Sequence, residues 1–459
     1  MLVFTSFLAF YLAWNLGAND VANSMGTSVG SKAVTLRQAL AIAGILEFTG
    51  AVLFGQNVSA TLVTQIVNPK LFAQAPQMFL VGMVAVLVAC GVWLNIATLF
   101  GLPVSSSHAT VGAIAGFGWV AVGSRAVDWH SIGIISLTWL VTPVISGAIA
   151  ALLYTCIKRW ILNQPNPLAQ LHEWIPWLSV SLLSAFGIIV LPTISQPIQR
   201  FLVGQLGIIL PAHDLPLVIG AIASVSLTLV SWQQLEQIRE GMGSRGDREM
   251  GSRGDREMGS RGDREMGSRG DEEKLKIQNS KFKIQNFPAP TESLFARFQV
   301  LSACFVAFAH GSNDVGNAIA PMAAIVTIHQ TGSVPTTNFQ VPLWILVLGG
   351  SGIVAGLAVW GKRVITTIGE NIISLQPSGG FCAELATAAT VLIASQLGLP
   401  VSTSHALVGG VVGVGLAKNS KSVQFQTLKG IGLAWVVTIP IAAGLGAVLF
   451  WLADRATQI

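Results

Sequence analysis

Gly17-Ala18-Asn19-Asp20-Val21-Ala22-Asn23 lies near the start of the chain, and Gly311-Ser312-Asn313-Asp314-Val315-Gly316-Asn317 repeats it in the second half. Both heptapeptides are polar islands within apolar runs. Working outward, a second pair appears. Leu102-Pro103-Val104-Ser105-Ser106-Ser107-His108-Ala109 is matched by Leu399-Pro400-Val401-Ser402-Thr403-Ser404-His405-Ala406. A weaker third echo sets Trp139-Leu140-Val141-Thr142 against Trp435-Val436-Val437-Thr438. Order and offset are kept in all three pairs, which chance does not explain. The chain is an internal duplication.

The solvent for this duplication is lipid. Of 459 residues, 52% are hydrophobic and 10% charged, with mean hydropathy +0.64. Soluble domains carry about 25% charged residues. A hydrocarbon core of about 30 Å requires roughly 20 apolar residues per helix. Twelve stretches meet that measure, near 1–24, 36–58, 77–100, 104–123, 131–157, 174–194, 214–232, 295–328, 342–361, 379–398, 401–417 and 427–453. The start of the chain reads as half of a spanning helix, because a signal peptide's basic n-region and cleavage pattern are missing there. The expected fold is an all-α integral membrane protein of about twelve transmembrane helices, with broken or re-entrant helices at the polar motifs.

Charge sets the orientation. With the N-terminus outside and every stretch crossing once, Lys32, Arg37, Lys158, Arg159, Lys362, Arg363, Lys418, Lys421 and Lys429 fall inside; Lys70, Arg125, Arg200 and Arg455 fall outside. That satisfies the positive-inside rule, and it accounts for the net charge of +5 without nucleic acid as a partner. Residues 237–292 contain Gly-Ser-Arg-Gly-Asp-Arg-Glu-Met from Gly243, again from Gly251 and Gly259, and in part from Gly267. These units have no apolar face, so the segment reads as a disordered cytoplasmic linker. It divides a membrane half at 1–236, consisting of a repeat at about 1–157 and two linking helices, from a second half at 293–459. Seven spans separate the two motif copies. An odd number reverses direction, giving inverted-topology repeats of the kind common in secondary transporters. Cys90, Cys156, Cys304 and Cys382 sit in apolar runs without metal or redox spacing. Asn57-Val58-Ser59 matches a glycosylation sequon by chance.

Asp20, Asp314, Glu47 and Glu384 are ionisable groups in apolar runs. Each costs about 2.5–3.5 kcal/mol at a helix centre on insertion scales, so each should face the protein interior and find a partner. Four acids handle cations, and Asn19, Asn23, Asn313 and Asn317 add the neutral oxygens that hard cations prefer. Pro103 and Pro400 allow a helix to begin at the Ser-rich turns. Ser105, Ser106, Ser107, Ser402, Thr403 and Ser404 would then stand at helix N-termini, which concentrate N–H donors and suit an oxyanion. A dianion beside carboxylates is repelled until cations or protons occupy the acids, a physical reason for symport. His108 and His405 are candidates for either the site or helix packing. A Ser107–His108 hydrolytic dyad is disfavoured, since neighbouring side chains on a helix diverge, and a passive channel is a third option that uphill accumulation driven by a sodium or proton gradient would exclude.

At these motifs the chain resembles the inorganic phosphate transporter (PiT) family, whose hallmark is the duplicated Gly-Ala-Asn-Asp-Val-Ala-Asn motif accompanied by the Leu-Pro-Val-Ser turns and two glutamates matching Glu47 and Glu384. The resemblance spans nearly the whole chain outside the linker. It implies phosphate import coupled to Na⁺ or H⁺, with no cofactor, Asp20, Asp314, Glu47 and Glu384 as functional acids, a cytoplasmic central loop in the cell membrane, and a homodimer. Ser24 stands where the family often has Ala. Sulfate permeases of the same architecture are the alternative.

Overall fold

The computed structural model describes all residues except Pro103, 207–210, 212–213, 255–288, 337–338, 372–374, 420–422 and 458–459. Thirteen α-helices account for nearly all of them: α1 Leu2–Gly30, α2 Leu36–Phe54, α3 Gln56–Thr64, α4 Pro76–Leu99, α5 Ser106–Val122, α6 Trp129–Ile157, α7 Pro167–Leu206, α8 Asp214–Gly254, α9 Pro290–Thr331, α10 Leu343–Asn371, α11 Pro377–Gln396, α12 Thr403–Lys418 and α13 Phe425–Thr457. A single isolated bridge, Val67 to Val127, is the one β-type pairing among the described residues.

Nine of these helices are long and apolar enough to cross a membrane, or ten if the pair Pro167–Ser184 and Phe186–Gln196, bent by 55°, is one span. The chain is therefore a multi-pass membrane protein. Two of the twelve expected spans fall short as single helices. They are α5, of 17 residues, and α12, of 16. Both begin at the Ser-rich turns, so each turn cuts an apolar stretch into a helical hairpin, α4–α5 and α11–α12. Gly101 and Gly398 take the left-handed conformation in these turns, with φ of 64° and 68°, which glycine adopts without a Cβ penalty.

The Asn-Asp motifs, by contrast, do not break their helices. α1 and α9 run straight through them, because the Asn and Asp side chains pair with other side chains, on their own and on neighbouring helices, instead of competing for their own backbone. α1 and α9 are antiparallel. Ser31 of α1 donates to Gln299 of α9 at 2.7 Å, while Asp20 and Asp314 meet further along.

Backbone contact at glycine holds the bundle together. A Cβ on Gly17 would overlap the Ile353 carbonyl, and one on Gly356 the Trp14 carbonyl, so α1 and α10 touch directly. Gly311 and Gly50 do the same for α9 and α2, against the Glu47 and Phe308 carbonyls. Small residues permit such approach where no hydrophobic force drives helices together. α6 packs along α12 and α13 along α5, each pair parallel; Gly147 meets Gly413, and Ala443 meets Gly116. Charges from outside close the base of the α11–α12 hairpin. Glu292 of α9 accepts from Ser378 N and Oγ at 2.9 and 2.7 Å, and Lys158 donates to the Ala417 and Lys418 carbonyls at 3.3 Å. An acid at a helix start and a base at a helix end both complement the helix dipole.

The expected linker at 237–292 departs from a wholly irregular segment. α8 continues to Gly254 and α9 starts at Pro290. The repeat units from Gly259 and Gly267 lie outside the described residues.

Gly356→Val is expected to prevent α1 and α10 from seating. The variant should lose its monodisperse size-exclusion peak in detergent, whereas Gly444→Ala, where an added Cβ meets nothing, should elute like the parent.

Candidate functional site

The two Ser-rich turns converge. Ser107 Oγ donates to the Val401 carbonyl at 2.8 Å, and Trp139 Nε1 donates to the Pro400 carbonyl at 2.8 Å. Pro103, the counterpart of Pro400, lies outside the described residues. Ser105 and Ser402 act as N-caps, accepting from His108 N and His405 N at 3.3 Å each. Their capping role occupies two of the six hydroxyls proposed for an anion, and Ser404 pairs with Ser402 at 2.9 Å. Ser106 and Thr403, the first residues of α5 and α12, face the acids. Thr403 Oγ1 donates to Asp314 Oδ2 at 3.2 Å, and Asn317 Nδ2 donates to Ser106 Oγ and Ser107 Oγ at 3.3 and 3.1 Å.

Asp20, Asp314 and His310 form the centre, each offering a ligand atom within 4.8 Å of the others. Asn23 Nδ2 donates to Asp20 Oδ1 at 3.3 Å. His310 stands 2.9 Å from Asp314 Oδ2 through Nε2 and 3.2 Å from Glu47 Oε1 through Nδ1. Glu47 also accepts from Ser24 Oγ at 2.8 Å, so the serine at that motif position has a partner of its own. All of these side chains are buried. Around this centre five buried oxygens have no donor from the protein: Asp20 Oδ2, Asp314 Oδ1, Glu47 Oε2, Asn313 Oδ1 and Asn317 Oδ1. Buried polar atoms are normally hydrogen-bonded. Orphaned carboxylate and amide oxygens form the donor set of a hard cation.

Asn19 and Asn313 point their amide nitrogens at the hairpins. Asn19 Nδ2 donates to Thr98 Oγ1 at 2.9 Å, and Asn313 Nδ2 to Ser395 Oγ and the Leu399 carbonyl at 3.0 and 3.1 Å. They tie the motif helices to the hairpins.

Glu384 is apart from the other three acids, in a cage of its own. Its Oε1 accepts from Thr27 Oγ1, Ser28 Oγ and Gln299 Nε2 at 2.6, 2.7 and 3.1 Å, and its Oε2 from Ser302 Oγ at 2.7 Å. Thr27 is two helical turns beyond Asp20 on α1, or about 10 Å at 1.5 Å per residue. The acids thus divide into a centre of three and a separate fourth.

His108 and His405 form a crossed clasp between the halves. Their rings meet edge to face with centroids 4.7 Å apart. His108 packs on Trp139 and contacts the Trp435 carbonyl through Nδ1; His405 packs on Trp435 and contacts the Trp139 carbonyl through Nδ1. Ser107 and His108 therefore serve different partners and make no dyad.

Sequence reasoning missed His310, Gln299, Ser302, Thr27 and Ser28. His310 was visible as a titratable residue directly before the second motif, one turn ahead of Asp314. Its counterpart in the first copy is Leu16, so a search for matching residues passed it over.

These features define a class: a multi-pass helical membrane protein with an acid-lined centre where two hairpin tips meet. The chain matches the phosphate transporter family over residues 16–446, and it belongs to that family. It is 37% identical over 458 residues to inorganic phosphate transporter 2-1, chloroplastic, of Arabidopsis thaliana, covering 98% of this chain and 71% of that protein. Among solved structures, the sodium-dependent phosphate transporter aligns with TM-score 0.79 and 34% identity, covering 99% of both chains.

Ser302→Ala removes the protein donor to one oxygen of a fully buried carboxylate. A loss of about 1–3 kcal/mol is expected, read as a lower melting temperature in detergent. Ser184→Ala, at an exposed hydroxyl, should leave the melting temperature unchanged.

Proposed function

We propose that this protein is a secondary carrier that imports inorganic phosphate by symport with a cation, Na⁺ or H⁺, through alternating access. One observation carries the reading. Three carboxylates and a histidine lie buried where two helix N-termini converge, with oxygens left unpaired. Cations bound to those oxygens neutralise the acids, and the N–H donors and hydroxyls at the starts of α5 and α12 then accept an oxyanion. Before the cations arrive, Coulomb repulsion from Asp20, Asp314 and Glu47 opposes a phosphate dianion. Binding order and coupling both follow from that sign.

Each residue has a part in this cycle. Asp20 and Asp314, with Asn23 and Asn317, are the principal cation ligands. Glu47 holds His310 beside Asp314. Ser106 and Thr403 face both charges, and Ser107 and the capping Ser105 and Ser402 shape the helix starts. Glu384, with its four donors, is a second cation-responsive acid reached along α1. His108 and His405 act as positioning residues at the clasp. Sodium is favoured over a proton as the coupling ion, because the aligned solved structure is described as sodium-dependent. Phosphate is favoured over sulfate by the family itself.

Inverted repeats, completing a twelve-segment plan with two segments in the hairpins, are supported by the antiparallel α1 and α9 and by the base of each hairpin. The α4–α5 base adjoins the start of α6 through the Val67–Val127 bridge, whereas the α11–α12 base adjoins the end of α6 through Lys158. Hairpins entering from opposite sides supply the antisymmetry that alternating access requires. The end of α1 and the start of α9 share a side with Lys158 and Lys418, which supports a cytoplasmic linker in the cell membrane.

Asp20→Asn and Asp314→Asn should each lower coupled uptake of labelled phosphate into proteoliposomes by at least tenfold while leaving size-exclusion behaviour intact. Parental rates in both variants would make the acids structural. In the parent, removing sodium at fixed pH should abolish uptake, and excess sulfate should compete poorly.

A further inference from the structure

A polar cavity lies on the other side of the α11–α12 turn from the centre. It measures about 500 Å³, and its walls include Gln56, Asn57, Thr61 and Thr64 around α3, with Gln396 and Gly398 of the turn. No lining residue is charged. It opens where α9 ends, beside Thr336 and Phe339, the end of that helix remote from the linker.

The α11–α12 turn borders both this cavity and the carboxylate centre. Gln396 and Gly398 face the cavity, while Ser395 and Leu399, their chain neighbours, accept from Asn313, and Thr403 donates to Asp314. The contacts that hold the turn against α3 are few and uncharged. Asn57 Nδ2 donates to the Gln396 carbonyl at 3.3 Å. Gly398, in its left-handed conformation, lies so close to α3 that a Cβ would come within 3.0 Å of Thr61 Oγ1 and 3.2 Å of the Asn57 carbonyl. The next residue back, Gln56, pins the outer loop, donating to the Phe339 carbonyl at 2.8 Å and accepting from Val341 N at 2.7 Å. The corresponding turn at Gly101 has no such cover, since an added Cβ there meets nothing within 4 Å.

We propose that this cavity is the outer vestibule for the oxyanion and that the turn Gln396–Val401, latched to α3 by Asn57 and the bare Gly398, is the gate between vestibule and centre. The inference rests on the carrier reading above. Amides and hydroxyls give a hydrated anion hydrogen bonds without the deep electrostatic trap that a lysine or arginine would set. The volume admits the ion with several waters, at about 30 Å³ each. A neutral latch lets the turn swing with Asn313, so gate and cation site move together.

The test uses Ala60→Cys, at a lining position, in a parent carrying Cys156→Ser and Cys304→Ser, reconstituted in proteoliposomes. A membrane-impermeant anionic methanethiosulfonate is added to each side in turn. Modification from the side remote from the linker should reduce phosphate uptake at least fivefold in the variant and leave the parent unaffected, and saturating phosphate with sodium should slow the modification at least threefold. Full labelling with undiminished uptake, or no labelling from either side, overturns the vestibule. Gly398→Ala should lower uptake at least tenfold with unchanged elution volume, and a parental rate there overturns the gate. A parent that carries no phosphate would instead sink the carrier reading, and the vestibule with it.

Discussion

Carboxylates without water must be matched by other charges or donors, and that constraint organises this protein. Asp20, Asp314 and Glu47 are buried in a bundle with almost no other charge, and an ionised group in such surroundings persists only with partners. His310 answers two of them, and Ser24, Asn23 and Thr403 answer part of the rest. On the acids themselves, Asp20 Oδ2, Asp314 Oδ1 and Glu47 Oε2 remain without a hydrogen-bond partner. Buried carboxylate oxygens left without donors are suited to receive cations.

The glycine contacts follow from the same requirement. His310 reaches Glu47 because Gly311 lets α9 lie against the α2 backbone at that residue. The first motif's Gly17 serves α10 in the same manner. Gly311 thus decides how near Glu47 approaches. The hairpins complete the arrangement by delivering helix starts, Ser106 and Thr403, to the acids at the level where the two turns interlock. The crossed His–Trp clasp joins the halves there, so motion of one hairpin is felt by the helix that supports the other.

Much of the site was legible in sequence, because the duplication singled out residues that composition alone would have left as ordinary polar positions in helices. Asp20, Asp314, Ser106 and Thr403 meet because both copies place them at equivalent points. The reading failed where the two copies differ. His310 faces Leu16 in the alignment of the halves, and Gln299 and Ser302 belong to no repeated motif, although they build the cage of Glu384. Two of the twelve apolar stretches, α5 and α12, are too short to span as single helices. Hydropathy registers α5 and α12 as apolar stretches, and the left-handed turns at Gly101 and Gly398 make each the returning arm of a hairpin. Grouping Glu384 with the other acids was likewise a judgement from composition, and the two helical turns between Thr27 and Asp20 separate it.

The central claim is that the oxyanion binds at the meeting of the α5 and α12 starts, beside cations held by Asp20 and Asp314. An electron cryo-microscopy map of the protein with saturating phosphate and sodium tests it most directly. The account predicts tetrahedral density in contact with Ser106 and Thr403, with cation density between it and the two aspartates. Phosphate density elsewhere in the bundle, with the aspartates still facing each other across an unaltered centre, would contradict it.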